Sequence, residues 1–486
     1  MAKPDVFRSF PGTFWVANTM ELFERWAWYG FYMVLALYLT GSTDTGALGF
    51  TQEQKGNLMG PVTFLLYLLP IITGSIADRY GYKRVLLVAF VILSSGYFLL
   101  GRVRSYWAFY FLFMYLAVGA ALFKPIITAT VSRTTDDRNS SIGFGIFYMI
   151  VNIGAFIGPI VASKLRIISW QWVFNMSSAI ILVNFILLLF FYKDPVKRNT
   201  GKSLGESLKT IFGNVVTVLS DFRLILFLLI IVGFWAMYLQ LFYTLPVYID
   251  QWMDTRPLYN QLYHLSPALA SAIGTPSGTI APEMLTNLDA FYIVLFQIVV
   301  SGFVARFSPL RAMANGILLS SIGIGMTFAF HNPVYLVFSL LLFGLGEMAT
   351  SPKTQEYVGK IAPEGKTALY MGFSYLPLAG GHIVAGFLSG SIYANIADKP
   401  TLLQNILIDK GIHLQAPGEG FPLNDFYMAA AQALNIAPDQ LTAWLWETAR
   451  PWKIWILFTA IGFFTFLALI LYNRLVMKPS EESGNI

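Results

Sequence analysis

The stretch Glu21-Leu-Phe-Glu24-Arg25-Trp26-Ala-Trp28-Tyr29-Gly30 decides the fold, because it places three charged groups inside an apolar run at residues 14–40. Crossing the roughly 30 Å of a bilayer's hydrocarbon takes about 20 helical residues, so this run is long enough. A charge at the centre of such a helix costs about 2.5–3.5 kcal/mol if it faces lipid. The stretch is therefore interpreted as a water-lined substrate and proton site, with a structural ion pair joining two helices as the alternative.

Further apolar runs of similar length recur along the 486-residue chain, which is 56% hydrophobic and 12% charged. Soluble domains carry about 25% charged residues, so a water-soluble globule is disfavoured. A membrane span must satisfy its own backbone hydrogen bonds, and the runs are therefore helices. We expect an all-α membrane protein with about twelve transmembrane helices in two six-helix bundles. The spans predicted after the first are 56–77, 83–102, 106–130, 143–164, 172–192, 222–249, 288–306, 310–330, 333–358, 367–392 and 452–475.

A polar, basic stretch at residues 193–221 divides the chain into an N-terminal bundle, 1–192, and a C-terminal bundle, 222–478. The second bundle contains two long outer loops. Residues 250–287 are rich in Pro, Ser and Gly and are expected to be irregular. Residues 393–451 contain two helix-like pieces, Asp425 to Leu434 and a second that begins near Asp439. These loops form either a small cap that packs on itself or a lid or partner-binding surface, since long loops are often functional.

Basic residues in short loops predict the orientation of a membrane protein. They are concentrated after the second and fourth predicted spans, in the central linker and at the tail: Arg79, Lys83, Arg84, Arg133, Arg138, Lys193, Lys197, Arg198, Lys202, Lys209, Arg474 and Lys478. Both termini are therefore placed in the cytoplasm, and the chain is predicted to be a multi-pass protein of a cell (inner) membrane. No removable signal peptide is recognised at the N-terminus. The net charge of +6 fits basic loops, so nucleic acid is not an expected partner.

The charged groups of the first span fall on a helical face. Glu21 and Arg25 are four residues apart and can pair. Trp28 and Tyr29 extend that face as candidate substrate-binding side chains, and Glu24 points aside towards another helix.

Lys124 lies in the fourth span, in the apolar context Gly119-Ala-Ala-Leu-Phe-Lys124-Pro125. A buried lysine must pair or lose its proton, and Glu24 is the expected partner. Pro125 removes a backbone hydrogen bond and is expected to bend the helix beside the lysine.

Four more polar side chains lie inside predicted spans. Glu347 follows Gly344 and Gly346 in the tenth span. Asn152 and Tyr67, in the fifth and second spans, are either ligand-binding groups or ordinary interhelical hydrogen bonds. His382, in the eleventh, either senses pH or bonds a neighbouring helix.

Several classes of function are disfavoured. The chain has no cysteine, so disulfides and thiolate chemistry are excluded. No nucleophile–base pair, metal-ligand spacing or phosphate-binding loop is present in the sequence, and neither an enzyme nor an ATP-driven pump is expected. No cofactor or metal is expected. The predicted partners are protons, a small-molecule solute and the lipid bilayer, and the protein is expected to be a monomer.

These motifs resemble those of a known family. The loop after the second span resembles the signature loop of the major facilitator superfamily, through Gly74, Asp78, Arg79, Gly81, Lys83 and Arg84. The opening stretch is similar to the ExxERFxYYG signature of the proton-dependent oligopeptide transporters. Lys124-Pro125 and the segment from Phe147 through Asn152 to Gly154 resemble two further motifs of that family.

The resemblance implies proton-coupled uptake of di- and tripeptides through a twelve-helix fold. It implies contacts with the peptide or its carboxylate for Arg25, Tyr29, Tyr67, Lys124 and Asn152. It also implies that Glu21 and Glu24 bind and release protons. Arg25 and Lys124, the cations that these carboxylates hold and release, take part in the same proton coupling.

The C-terminal half departs from the family pattern. Trp235 is a candidate substrate-binding residue. Leu239, four residues later, stands where a glutamate is usual, and Asp289 stands where an asparagine is common. Ser374 replaces a pocket tryptophan, whereas Glu347 matches the family's glutamate. The resulting hypothesis is a wider pocket in which Asp289 and Glu347 face a cationic group and handle protons.

Three functions remain open. The first is a symporter that moves peptides or peptide-like solutes with protons by alternating access. The second is a carrier of the same family for a non-peptide solute, such as an amino-acid conjugate or a small anion. The third is a transport-inactive receptor or scaffold, against which the costly buried charges argue.

Overall fold

The computed structural model describes residues 9–136, 139–195, 215–329, 332–364, 366–418 and 420–477, together with Gly205 and Gly213. Within these ranges the regular elements are helices, and the only strand-like pairings are two isolated bridges. Most of the predicted linker at 193–221, and with it Lys197, Arg198, Lys202 and Lys209, lies outside the described residues, as do Arg138 and Lys478. The division of the chain at that linker stays a prediction.

The chain forms two compact units, one of Met1–Tyr32 with Val62–Asp221 and the other of Met33–Pro61 with Phe222–Ile486. Helices α1 and α2 contribute to both. The helices up to residue 190 are α1 Gly12–Thr40, α2 Gln52–Leu68, α3 Pro70–Tyr80, α4 Tyr82–Leu100, α5 Tyr106–Arg133, α6 Ser140–Ile168 and α7 Trp170–Phe190.

The second predicted span is broken. Helices α2 and α3 meet at an angle of 44° around Leu69. Pro70, the first residue of α3, has no N–H to donate to the carbonyl one turn earlier, and its ring clashes with that carbonyl, so the helix bends. The sequence predicted one continuous helix at 56–77, and the proline explains why two are found.

From residue 222 the helices are shorter and more numerous. They are α8 Phe222–Tyr238, α9 Gln240–Tyr243, α10 Leu245–Trp252, α11 Arg256–Leu265, α12 Pro267–Ile273, α13 Pro282–Thr286, α14 Leu288–Val304, α15 Pro309–Ala329, α16 Pro333–Ile361, α17 Thr367–Phe373, α18 Leu376–Phe387, α19 Tyr393–Ile396, α20 Lys399–Asp409, α21 Leu423–Leu434, α22 Leu441–Ala449 and α23 Lys453–Tyr472. One π-helical turn, Leu388–Ile392, follows α18, and another, Asn473–Met477, follows α23.

The predicted spans 222–249 and 367–392 are each interrupted by short turns, between α8, α9 and α10 and between α17 and α18. Phe222–Tyr243 and Leu369–Asp409 are nevertheless each long and apolar enough to cross a membrane as one segment. The expectation of an irregular loop at 250–287 was wrong, because this loop contains α11, α12 and α13. In each of these helices a proline stands at the first or second position, where its missing N–H costs nothing. The pieces predicted at 425–434 and from 439 are present as α21 and α22, but α20 was missed.

Nine helices of the described chain are long and apolar enough to cross a membrane, or ten when the bent α2–α3 pair counts as one span. Two others have the length but are more polar. Helix α1 has 29 residues and contains Glu21, Glu24 and Arg25, and α15 has 21 and contains Arg311 and Asn315. With these two, the described helices reach the count of about twelve spans that the apolar runs predicted.

Glycines bring α1 and α6 close together in the first unit. A Cβ atom added at Gly158 of α6 would lie 2.6 Å from the carbonyl oxygen of Trp26. One added at Gly154 would lie 2.8 Å from Cβ of Arg25. Small residues allow this backbone approach between membrane helices. Gly154 therefore lets α6 pack directly against the backbone of α1 beside Arg25.

Candidate functional site

The three charged side chains of α1 are buried together. Glu21 and Arg25 are each 5% exposed, and Glu24 is fully buried. Arg25 Nε lies 3.3 Å from Glu21 Oε1 and donates a hydrogen bond of 2.6 Å to Glu24 Oε2. The predicted pairing of Glu21 with Arg25 is confirmed. Because one guanidinium is held by two carboxylates, the triad carries one net negative charge when all three groups are ionised.

Lys124 does not pair with Glu24 as predicted. Arg25 already occupies one oxygen of that carboxylate, and no ion pair joins Lys124 to an acidic group among the described residues. Lys124 Nζ instead lies 4.2 Å from the ring centroid of Tyr67. Cations are attracted to aromatic faces at such distances. The lysine is half-buried, and it remains close enough to interact electrostatically with Glu21, Glu24 and Arg25.

Tyr29 and Tyr67 complete the first cluster. The guanidinium carbon of Arg25 lies 5.9 Å from the Tyr29 ring centroid, and the charge of Arg25 also acts on Tyr67. We call the set Glu21, Glu24, Arg25, Tyr29, Tyr67 and Lys124 the charged cluster. With Lys124 included, its two cations balance its two carboxylates.

Pro125 supports the lysine through α3. A proline at position 125 cannot donate to the carbonyl of Ala121, one turn earlier. That carbonyl accepts a hydrogen bond of 2.6 Å from the Thr73 hydroxyl of α3. The next residue of α3, Gly74, packs on Pro125, at 3.9 Å between an added Cβ and the Cβ of the proline. The proline thus ties α3 to α5 beside Lys124.

Two predicted substrate-binding residues lie away from the charged cluster's ion pairs. Trp28 is 4% exposed and stacks on Tyr32 at 5.0 Å between ring centroids. Asn152 donates its side-chain N–H to the Tyr148 carbonyl of its own helix, at 2.8 Å. Neither contact is with Arg25 or Lys124, and the binding roles of Trp28 and Asn152 stay predictions.

A second cluster of acidic side chains lies in the other unit. Asp289 of α14 and Glu347 of α16 are 3% and 6% exposed, and the charge of Asp289 acts on Glu347. The Tyr238 hydroxyl donates to Asp289 Oδ2 at 3.2 Å. Asp289 Oδ1 and Glu347 Oε2 have no hydrogen-bond partner within the described part of the chain. We call Asp289 and Glu347 the acidic pair.

None of the ion pairs described in this unit joins a cation to Asp289 or Glu347. Two carboxylates near one another in a buried place disfavour double ionisation, because like charges repel and water is excluded. Such a pair is suited to holding a proton or a cationic group.

The remaining predicted residues of this unit take different places. Trp235 contacts Tyr238 edge-on, with 5.3 Å between ring centroids, and so adjoins the acidic pair. Leu239 is buried at the break between α8 and α9. Ser374 is buried where α17 ends, and its hydroxyl bonds the Met371 carbonyl at 2.7 Å. His382 Nδ1 lies 2.9 Å from the Tyr243 hydroxyl, which fits the alternative of a bond to a neighbouring helical segment.

The signature loop forms a tight turn between α3 and α4. Gly81 has φ +89°, a conformation that side chains other than glycine rarely adopt. Tyr82 donates to Asp78 at 3.0 Å, and Asp78 lies 4.0 Å from an Arg133 nitrogen. Lys83 Nζ donates to the carbonyls of Leu189 and Tyr192, at 3.1 and 3.3 Å. The loop thus connects α4 to the C-terminal end of α7. Arg79 lies beside the Tyr80 ring, and Arg84 is exposed.

Lys55 is a buried cation that sequence reasoning did not single out. Lys55 is fully buried in α2. Its Nζ donates to Gln52 Oε1 and to the Tyr243 carbonyl, both at 2.8 Å, and lies 5.4 Å from the Tyr393 ring centroid. Gln52 in turn donates to Asp398 at 2.8 Å. The only signal in the sequence was the i, i+3 spacing of Gln52 and Lys55.

The described residues contain no group of three acidic or histidine side chains that could hold a metal ion.

Comparisons with known proteins agree with the motifs. The model of the Major Facilitator Superfamily matches residues 19–288. The chain is 26% identical over 442 residues to dipeptide and tripeptide permease A of Cronobacter turicensis, covering 80% of this chain and 86% of that protein. It is also 26% identical over 392 residues to multidrug resistance protein MdtH of Aeromonas hydrophila, covering 79% and 89%.

Among solved structures, a POT family transporter in complex with 5-aminolevulinic acid superposes with a TM-score of 0.71 at 18% identity, covering 97% of this chain and 100% of that one. The fold class and the family resemblance predicted from the sequence are thereby confirmed. This chain belongs to the Major Facilitator Superfamily of membrane transporters, with dipeptide and tripeptide permeases among its relatives.

Proposed function

We propose that this transporter is a proton-coupled symporter of di- and tripeptides or peptide-like solutes, working by alternating access. The observation that carries the proposal is the buried triad, in which Arg25 is held by Glu21 and Glu24. Such an arrangement costs free energy unless every charge is compensated. It also offers a cation that can be released by protonating one of its partners.

The cycle needs no covalent chemistry. A proton that binds Glu21 or Glu24 removes one negative charge and weakens the hold on Arg25 or Lys124. The released cation then binds the carboxylate of the solute. A guanidinium can form two parallel hydrogen bonds to a carboxylate, and charge-assisted bonds of this kind are strong. After inward opening, the solute and the proton leave and the ion pairs form again.

The acidic pair supplies the complementary chemistry. A peptide carries an ammonium group as well as a carboxylate, and Asp289 Oδ1 and Glu347 Oε2 are acceptors without a described partner. We propose that these two side chains take up a proton or the cationic group of the solute. Asp289 would then replace the carboxylate that the family pattern places at Leu239.

We also propose where the chain lies. A bacterial inner membrane can supply the inward proton gradient that drives a symporter, and the basic loops favour cytoplasmic termini. We propose that a monomer with its bilayer is sufficient, because both clusters are built from residues of one chain.

The experiment is a measurement of proton movement. Purified protein is reconstituted into proteoliposomes that contain a pH-sensitive dye, and dialanine is added outside. We expect the lumen to acidify on addition of dialanine and not on addition of buffer. Uptake of labelled dialanine without acidification would contradict proton coupling, and a lack of dialanine uptake would contradict peptide transport.

A second candidate is a carrier of an amino-acid-like, non-peptide solute. It is favoured by Ser374 and Asp289, two departures from the peptide-transporter pattern that the chain resembles. The structural neighbour that holds 5-aminolevulinic acid supplies a suitable probe. Uptake of labelled 5-aminolevulinic acid that dialanine does not inhibit would favour this candidate.

A further inference from the structure

Tyr97 of α4 is a buried tyrosine that has no role in the proposed transport cycle. It is fully buried, and its ring meets Phe31 of α1 edge-on, with 5.5 Å between centroids. Phe31 follows Glu24 by seven residues, which is about two helical turns along the same face of α1. Tyr97 therefore packs on the face of α1 that carries Glu24.

Two polar atoms on this face have no described partner. The Tyr97 hydroxyl and Glu24 Oε1 are both buried and form no hydrogen bond within the described residues. Leaving a buried hydroxyl unpaired is unfavourable, because it loses its hydrogen bonds to water without gaining a new one. The charges that act on the Tyr97 phenol are those of Glu24 and Arg25. A buried donor and a buried acceptor, neither with a described partner, thus lie along the same face of α1.

Several groups surround Glu24. From α1 itself they are Glu21 and Arg25, with Tyr29 beyond the guanidinium. The other helices contribute Tyr67 from α2, Tyr97 from α4 and Lys124 from α5. Lys124 lies on the Tyr67 ring, so it is not the direct partner of Glu24 here. When Arg25 leaves, Tyr97 is a neutral donor whose hydroxyl has no described hydrogen bond to give up.

We propose that Tyr97 is a positioning residue that donates a hydrogen bond to the Glu24 carboxylate when Arg25 turns to the solute. The phenol keeps its proton throughout, and only the hydrogen bond changes partner. The bond keeps the buried carboxylate satisfied after it has lost the guanidinium. This proposal rests on the proposed release of Arg25 in the transport cycle.

A double-mutant cycle tests this exchange without any transport assay. The variants are Tyr97→Phe, Arg25→Met and the double variant, and the measurement is the melting temperature in detergent. In the wild-type background the Tyr97 hydroxyl has no described partner, so Tyr97→Phe is expected to leave the melting temperature unchanged or to raise it. In the Arg25→Met background the hydroxyl would hold Glu24, and its removal is expected to lower the melting temperature by about 2–4 °C.

Additive effects of the two substitutions would overturn the proposal. Arg25→Leu provides a second background without a hydrogen-bond donor if Arg25→Met yields too little folded protein. Tyr192→Phe is the matched control, because the buried Tyr192 hydroxyl bonds Thr130 at 2.7 Å and its neighbouring charge is Asp194. This control is expected to behave identically with and without Arg25.

The pH profile of dialanine uptake supplies the second readout. A hydrogen bond to the carboxylate favours its charged form. Losing it in Tyr97→Phe is expected to move the pH of half-maximal uptake upward by about one unit. If the pH profile is unchanged while the two substitutions have non-additive effects on the melting temperature, Tyr97 contributes only to stability. That result would overturn its proposed part in transport. A wild type that takes up no dialanine would refute the proposed function, while the melting cycle would still decide the Tyr97 contact.

Discussion

Asp289 of α14 packs directly on Gly344 of α16, so closely that a Cβ atom at position 344 would lie 2.8 Å from Asp289 Oδ1. This contact brings one carboxyl of the acidic pair onto the helix that carries the other, one turn before Glu347. A glycine at 344 is therefore what allows two buried carboxyl groups to approach each other in this unit.

The contact predicts the effect of Gly344→Ala. The added methyl group would force the Asp289 side chain to move, and overpacking of this kind costs about 1–3 kcal/mol. We expect a lower melting temperature and reduced gradient-driven uptake. Gly302→Ala on α14 is the matched control, because nothing lies within 4 Å of its added Cβ. Equal behaviour of the two variants would show that the contact has no influence on Asp289.

The acidic role of Asp289 predicts the effect of Asp289→Asn. The substitution keeps the shape and the acceptor but removes the charge and the site for a proton. Hydrogen bonds to charged groups contribute about 1.5–3 kcal/mol, so uptake is expected to fall about tenfold or more. The control is Asp254→Asn, since Asp254 is an exposed residue whose pKa is lowered by hydrogen bonds from Arg256. Intact transport with intact proton dependence in Asp289→Asn would refute this role.

The signature loop predicts the effect of Lys83→Met. Its ammonium group binds two carbonyls at the end of α7, where a cation also interacts favourably with the helix dipole. We expect a loss of about 1 kcal/mol in the free energy of unfolding. Arg84→Met, at the exposed neighbouring position, should leave stability unchanged. If both variants melt like the wild type, the two hydrogen bonds of Lys83 contribute nothing.

The buried Lys55 predicts a larger effect on stability. Lys55→Met leaves Gln52 Oε1 and the Tyr243 carbonyl without the donor that they share, and each unsatisfied buried acceptor costs about 1–3 kcal/mol. A melting temperature clearly below that of the exposed control, Lys410→Met, is expected. Should the two variants melt alike, the network around Lys55 would be dispensable.

Hydropathy alone predicted most of the fold. The ends of α1, α4, α5 and α7 agree with the apolar runs to within a few residues, because a span has to match the thickness of a bilayer. Helical spacing also predicted the pairing of Glu21 with Arg25. The bend at Pro70 was not predicted, because apolar composition continues through it and hydropathy does not register a lost backbone hydrogen bond.

The charged cluster shows where such reasoning ends. Adjacent residues on a helix do not face each other, so Glu24 was expected to pair with Lys124 of another helix. The long Arg25 side chain nevertheless reaches the Glu24 carboxylate, and Lys124 is left on the Tyr67 ring. Which of two cations a carboxylate binds depends on side-chain reach and on packing across helices. Neither can be read from spacing along one helix.

The central claim is that the cations of the charged cluster bind the carboxylate of the solute, and uptake of radiolabelled dialanine by proteoliposomes tests it most directly. Wild type and Lys124→Ala are compared with and without an inward proton gradient, with Lys410→Ala as the control and melting temperatures to verify folding. We predict gradient-driven uptake in the wild type and the control, and none in folded Lys124→Ala. Undiminished gradient-driven uptake by folded Lys124→Ala would contradict the account.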